Sequence, residues 1–116
     1  MAECVIPITD DLFEEVVLRE PGTVLVDFYT STCPPCRQVA PVLEELCAEN
    51  RSKLKLVKIN AEENPKAAID QGVSVVPTFV LFHAGKKVGR LSGYQSKSQF
   101  EKWIAASVGG GHQSSC

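Results

Sequence analysis

The polar and apolar positions of this chain divide it into short, clearly different segments. Thr23 to Tyr29 reads TVLVDFY, an almost unbroken run of apolar and β-branched residues, which predicts a strand buried on both faces at the centre of a sheet. From Cys33 to about Glu49 the period changes: Val39, Leu43, Leu46 and Cys47 follow the i, i+4, i+7, i+8 spacing of one buried helix face. Pro34 and Pro35 fall in its first turn, where missing amide hydrogens cost little, whereas Pro41 lies inside it and is expected to kink it.

The flanking segments can be read in the same way. Leu12, Phe13, Val16 and Val17 give a first helix an apolar stripe, with Thr9 or Asp10 as its cap and Pro21-Gly22 closing it. Leu54 to Ile59 reads as a strand, and Asn64-Pro65 as a helix start with Asn64 capping and Gly72 ending the helix. Thr78 to Phe82 and Val88 to Leu91 predict a hairpin across His83 to Lys87, where Gly85 suits the turn. Ser96 and Gln99 form a capping box for a last helix with Phe100, Trp103, Ile104 and Val108 on its buried stripe. With Cys4 to Ile8 as an edge strand, the order implies an α/β domain: a parallel βαβ half, then an antiparallel half, with helices on both faces. The domain is expected over residues 1–108, and GGGHQSSC, 109–116, reads as a flexible polar tail.

Composition narrows the function without choosing it. A chain of 116 residues, 44% hydrophobic and 22% charged, accommodates one core. Its formal charge of -2 is made of interspersed acids and bases, which argues against nucleic acid as a partner. No apolar run approaches the roughly 20 residues of a membrane span, and the N-terminus lacks the basic and apolar regions of a secretory signal, so the expected address is cytoplasmic. A monomer is the default. Five cysteines do not suit a paired secretory framework, and most are expected to be reduced thiols.

Two of the five stand as Cys33-Pro34-Pro35-Cys36 at a helix start. A thiolate at a helix N-terminus is stabilised by the partial positive charge and free amide hydrogens of that end, so Cys33 is the expected nucleophile. Cys36, three residues on, is close enough to close a disulfide with Cys33 or to resolve a mixed one. Being further into the helix it should be more buried and needs a proton acceptor, for which Asp27, a carboxylate inside an apolar strand leading to the same loop, is the candidate. The competing reading of C-x-x-C, half a structural zinc site, lacks a second ligand pair at suitable spacing, and no metal is expected. Asp27 has its own plainer alternative as a structural carboxylate, and Lys58 as a solvated strand residue.

VDFY (26–29), CPPCR (33–37), Pro41, KIN (58–60), VPTF (76–79), Gly85 and Gly93 together resemble the thioredoxin family over roughly residues 5–107. The resemblance implies a thioredoxin fold, a central mixed five-stranded sheet flanked by four helices. It implies a protein-disulfide reductase that works on protein disulfides, is recycled by a separate thioredoxin reductase, and binds no cofactor beyond the Cys33-Cys36 disulfide. By the same resemblance Asp27 is the proton-transfer carboxylate, Lys58 the lysine beside it, and Pro77 a cis-proline facing the disulfide. Val76 and Gly93 then offer a docking surface for substrate together with Thr32, Pro34 and Pro35. Thr32, where the family commonly has tryptophan, and Pro34, where it commonly has glycine, depart from the pattern and bear on redox poise.

A disulfide oxidant or isomerase is the alternative that the Pro-Pro dipeptide leaves open. A binding module that holds partners without turnover is the other. Cys47 is expected to be a small buried hydrophobe, Cys4 to lie near an edge strand without a role, and Cys116 to be exposed and able to link two chains on oxidation. His83 in the hairpin loop and His112 in the tail are not placed to act on Cys33.

Overall fold

A computed structural model describes residues 3–109. The elements run β1 (Ile6–Pro7), α1 (Asp10–Phe13), β2 (Thr23–Tyr29), α2 (Pro34–Glu49), β3 (Leu54–Asn60), α3 (Pro65–Asp70), β4 (Thr78–His83), β5 (Lys86–Ser92) and α4 (Lys97–Ile104). Both α1 and α4 continue as one wider, π-type turn, over Glu14–Leu18 and Ala105–Gly109. The strands form one sheet in the order β1-β3-β2-β4-β5, with β1, β3 and β2 parallel and β4 and β5 antiparallel additions. This is the expected mixed five-stranded sheet with four helices. β2 lies at its centre, as its apolar sequence requires, and every residue from Val24 to Phe28 is buried.

The two faces of the sheet carry separate cores. On one, Phe13 and Val17 pack with Val24, Val26, Phe28, Val80 and Phe82. On the other, the stripe Val39, Leu43, Leu46 and Cys47 of α2 packs with Leu25, Leu56, Phe79, Leu81 and Phe100. The rings of Phe79 and Phe100 meet edge to face with centroids 4.9 Å apart, the arrangement their quadrupoles favour. Alternation along β2 therefore fixes which residues face α2, and with them the setting of the helix that carries both C-x-x-C cysteines.

Several local expectations are revised. β1 pairs only over Ile6 and Pro7, shorter than the segment Cys4 to Ile8, although the Ile8 amide still donates to the Lys58 carbonyl at 2.9 Å. Pro41 lies inside α2, as read. Asn64 does not cap α3: its Oδ1 accepts from the Asp10 amide at 2.9 Å, while the Asp10 carboxylate accepts from the amides of Lys66 and Ala67 at 3.1 and 2.8 Å. The caps are thus exchanged between two helices, tying α1 to α3. The capping box of Ser96 and Gln99 is present as read. His83 ends β4 instead of lying in a loop, and the turn is Ala84-Gly85, both at positive φ. A Cβ on Gly85 would strike the Leu18 carbonyl, so glycine is required there by space as well as by conformation.

The cysteines bring the largest revision. Cys4 and Cys47 are joined in a disulfide across a sequence separation of 43, where free thiols were expected. Cys47 is buried among apolar residues as read, but as half of a covalent bridge. The tail from 109, apart from Gly109, lies outside the described residues, as do His112 and Cys116.

Candidate active site

β2 delivers the chain to its C-terminal end at Tyr29, and residues 30–33 form the loop that enters α2. Cys33 is the N-cap of that helix, in extended conformation, with prolines at the first helical positions. Its Sγ accepts a hydrogen bond from the Cys36 amide at 3.2 Å. A helix N-terminus thus supplies an amide donor to that sulfur, the arrangement that stabilises a thiolate once the disulfide opens. Cys33 and Cys36 are joined, with Cα atoms 5.2 Å apart. Both are largely covered, Cys33 8% and Cys36 5% exposed, so the order of burial read from the sequence holds by a small margin.

Behind Cys36 lies a cavity of about 200 Å³ lined by Asp27, Tyr29, Thr30, Ser31, Cys36, Arg37, Ala40 and Lys58. Asp27, Cys36 and Lys58, far apart in sequence, are therefore brought to one space. Asp27 is 4% exposed, and its Oδ1 has no hydrogen-bond partner among the described residues. Burial in apolar surroundings pushes its carboxyl up from 3.8 to about 7, with Lys58 opposing the shift through its charge. Lys58 is the direct register partner of Asp27 across β2 and β3. Its ammonium lies 5.8 Å from the centre of the Tyr29 ring and 3.9 Å from a carboxylate oxygen of Glu3.

The other residues singled out in the sequence are not on this cavity. Thr32 and Pro34 are exposed and Pro35 is half-buried at the start of α2. The Val76-Pro77 peptide is cis, and Pro77 precedes β4. The Pro77 carbonyl accepts from the Gly93 amide at 2.9 Å, which ties those two positions together. Val76 lines a neighbouring cavity of about 320 Å³ with Ala61, Ile69, Val73 and Val75, and Thr30 lines both cavities. The exposed apolar side chains Val75 and Tyr94 flank Val76-Pro77 and Gly93 along the chain. His83 sits at the opposite end of β2, its Nδ1 2.8 Å from Thr23 Oγ1.

Sequence reasoning passed over Thr30, Ser31, Arg37 and Ala40. Ala40 was legible in principle, since it follows Cys36 by four residues and shares its helix face, whereas Arg37, one residue on, does not follow from that spacing. Thr30 and Ser31 are placed by the course of the loop, which no periodicity encodes. Among the described residues no group of three or more His, Cys, Asp or Glu stands together as a metal site, and no helix is long and apolar enough to cross a membrane.

A disulfide at a helix N-terminus, sharing a cavity with a buried carboxylate on a five-stranded α/β sheet, defines a thiol-disulfide oxidoreductase. The Thioredoxin family profile matches residues 4–106. The thioredoxin of Pseudomonas aeruginosa is 38% identical over 108 residues, covering 93% of this chain and all of that protein. Thioredoxin 1 of a Nostoc species is 41% identical over 97 residues, 84% of this chain and 91% of its own length. The M-type chloroplastic thioredoxin of Chlamydomonas reinhardtii is 42% identical over 91 residues, 78% of this chain and 65% of its own. The chain belongs to the thioredoxin family, and its activity is protein-disulfide reduction through the Cys33-Cys36 pair.

Proposed function

We propose that the chain is a general protein-disulfide reductase in which Cys33 opens the substrate, Cys36 releases it and Asp27 handles the proton between them. The Cys33 thiolate attacks one sulfur of a substrate disulfide, forming Cys33-S-S-R and expelling the other sulfur as a thiolate. Cys36 then gives its proton to the Asp27 carboxylate and attacks Cys33 Sγ. The Cys33-Cys36 disulfide closes and the substrate leaves with two electrons gained. The observation that carries this reading is the unpaired Asp27 Oδ1 on the same cavity as Cys36. A carboxyl at about 7 is suited to exchange protons at neutral pH.

Lys58 serves as the countercharge that keeps Asp27 from rising further. Val76 contributes backbone hydrogen bonds to an extended substrate peptide across Pro77 and Gly93, with Thr32, Pro34 and Pro35 forming the opposite wall. A separate thioredoxin reductase returns the two electrons, and the cytoplasm, where such electrons are supplied, is the compartment this cycle fits.

The division of labour is tested with Cys36→Ser and a disulfide substrate. Attack by Cys33 survives and release does not, so a mixed disulfide on Cys33 should accumulate to near one equivalent by mass spectrometry. A variant that turns over without such an adduct would contradict the two-step order.

A further inference from the structure

Helix α2 carries one disulfide at each end. Cys33 is its N-cap and Cys36 lies in its first turn, whereas Cys47 lies in its last turn, two residues before Glu49, bonded to Cys4 just ahead of β1. The helix dipole acts on the two pairs with opposite sign. A thiolate formed at the N-terminal end meets partial positive charge and amide hydrogens; one formed at Cys47 meets the partial negative charge of the C-terminal carbonyls. Since exchange needs a thiolate as attacking or leaving group, the same helix speeds exchange at Cys33 and slows it at Cys47.

Access works in the same direction. Cys47 is 3% exposed and packed in the α2 face of the core with Leu46, Leu54 and Leu56. Cys4 is half-open, and both cysteines border a cavity of about 200 Å³ with Arg51 and Lys55, onto which Cys47 presents little surface. Lys55 is engaged by Glu20 at 2.8 Å, and Arg51 is solvent-exposed, so its charge is screened. The segment is also held without the covalent bond. The amides of Cys4 and Val5 donate to the two Glu44 carboxylate oxygens at 2.8 and 3.3 Å, Val5 is buried, and Ile6 and Pro7 register with Val57 and Lys58.

We propose that Cys4-Cys47 is a structural lock that stays closed while Cys33-Cys36 turns over, so that the chain contains one exchanging pair and one permanent one. Closing the lock passes two electrons and two protons from Cys4 and Cys47 to a small-molecule disulfide such as oxidised glutathione, which leaves as two thiols. Because the native contacts of the segment are already in place, the lock acts mainly by restricting the unfolded chain across its 43-residue separation.

The test uses the full chain with Cys116→Ser, leaving four cysteines. After incubation in a reducing glutathione buffer under native conditions, acid quenching and alkylation should label two of them, Cys33 and Cys36. Peptide mapping should recover Cys4 and Cys47 still linked, with four labels appearing only after denaturation with excess reductant. The companion variant Cys4→Ser/Cys47→Ala should fold, keep insulin-reducing activity within about twofold, and melt about 10 °C lower, its folding constant reduced about 10²- to 10³-fold. Labelling of all four under native conditions, or a double variant as stable as its parent, would overturn the lock.

Discussion

Replacing Cys33 with serine should abolish disulfide reduction. A serine hydroxyl at the N-cap of α2 still receives the Cys36 amide, so the fold is expected to stand, but a hydroxyl is not ionised near pH 7 and cannot open a disulfide. In the insulin turbidity assay the rate should fall to the uncatalysed background, a loss on the order of 10³-fold or more. A Cys33→Ser chain retaining even a tenth of the parent rate would remove Cys33 from the reaction. The Cys36→Ser adduct experiment separates this step from the one that follows it.

Asp27→Asn is expected to stabilise the protein and slow it. The carboxyl titrates at about 7 in the folded chain against 3.8 as its ordinary value, raised first by burial. The folded state thus binds more protons than the unfolded state between those two pH values, and stability from this group falls as pH rises through that window and levels off above it. The shift corresponds to about 4 kcal/mol, an upper figure because the unfolded chain is not a free model compound. Asparagine keeps the shape without the charge. The variant should therefore gain on the parent by about 3 kcal/mol between pH 4 and pH 8 in urea denaturation. A stability difference independent of pH would show that Asp27 does not titrate in that range. Without the carboxylate, Cys36 loses its proton acceptor, and turnover at pH 7 should drop on the order of 10²-fold. Partial recovery is expected as pH rises and Cys36 ionises unaided.

Much of this was written in the chain. The carboxylate in VLVDFY stands out because the residues on either side demand burial, and the sheet does bury it next to its parallel partner Lys58. C-x-x-C at the change of period from strand to helix marks the reactive turn for the same reason: the helix end and the two cysteines are adjacent in sequence. What was not legible depends on chain segments meeting from afar. Asp10 and Asn64 each look like a local cap, yet the carboxylate of one serves the helix of the other because α1 and α3 pack together. Cys47 sits on an apolar stripe and reads as a hydrophobe. Only the docking of the N-terminal segment over Glu44 shows that Cys4 reaches it. The register of β1 is fixed by two residues, too few for a periodic signal.

Thr32 and the Pro34-Pro35 pair remain the features most able to shift the balance between dithiol and disulfide, since a tenfold change in that equilibrium is about 30 mV for two electrons. The equilibrium reduction potential of Cys33-Cys36, titrated against glutathione and dithiothreitol buffers with Cys116 replaced, therefore tests the reductase reading most directly. The expected value lies near the −270 mV typical of thioredoxins, within about 30 mV. A value of about −180 mV or higher would contradict it and identify the chain as an oxidant or isomerase of disulfides.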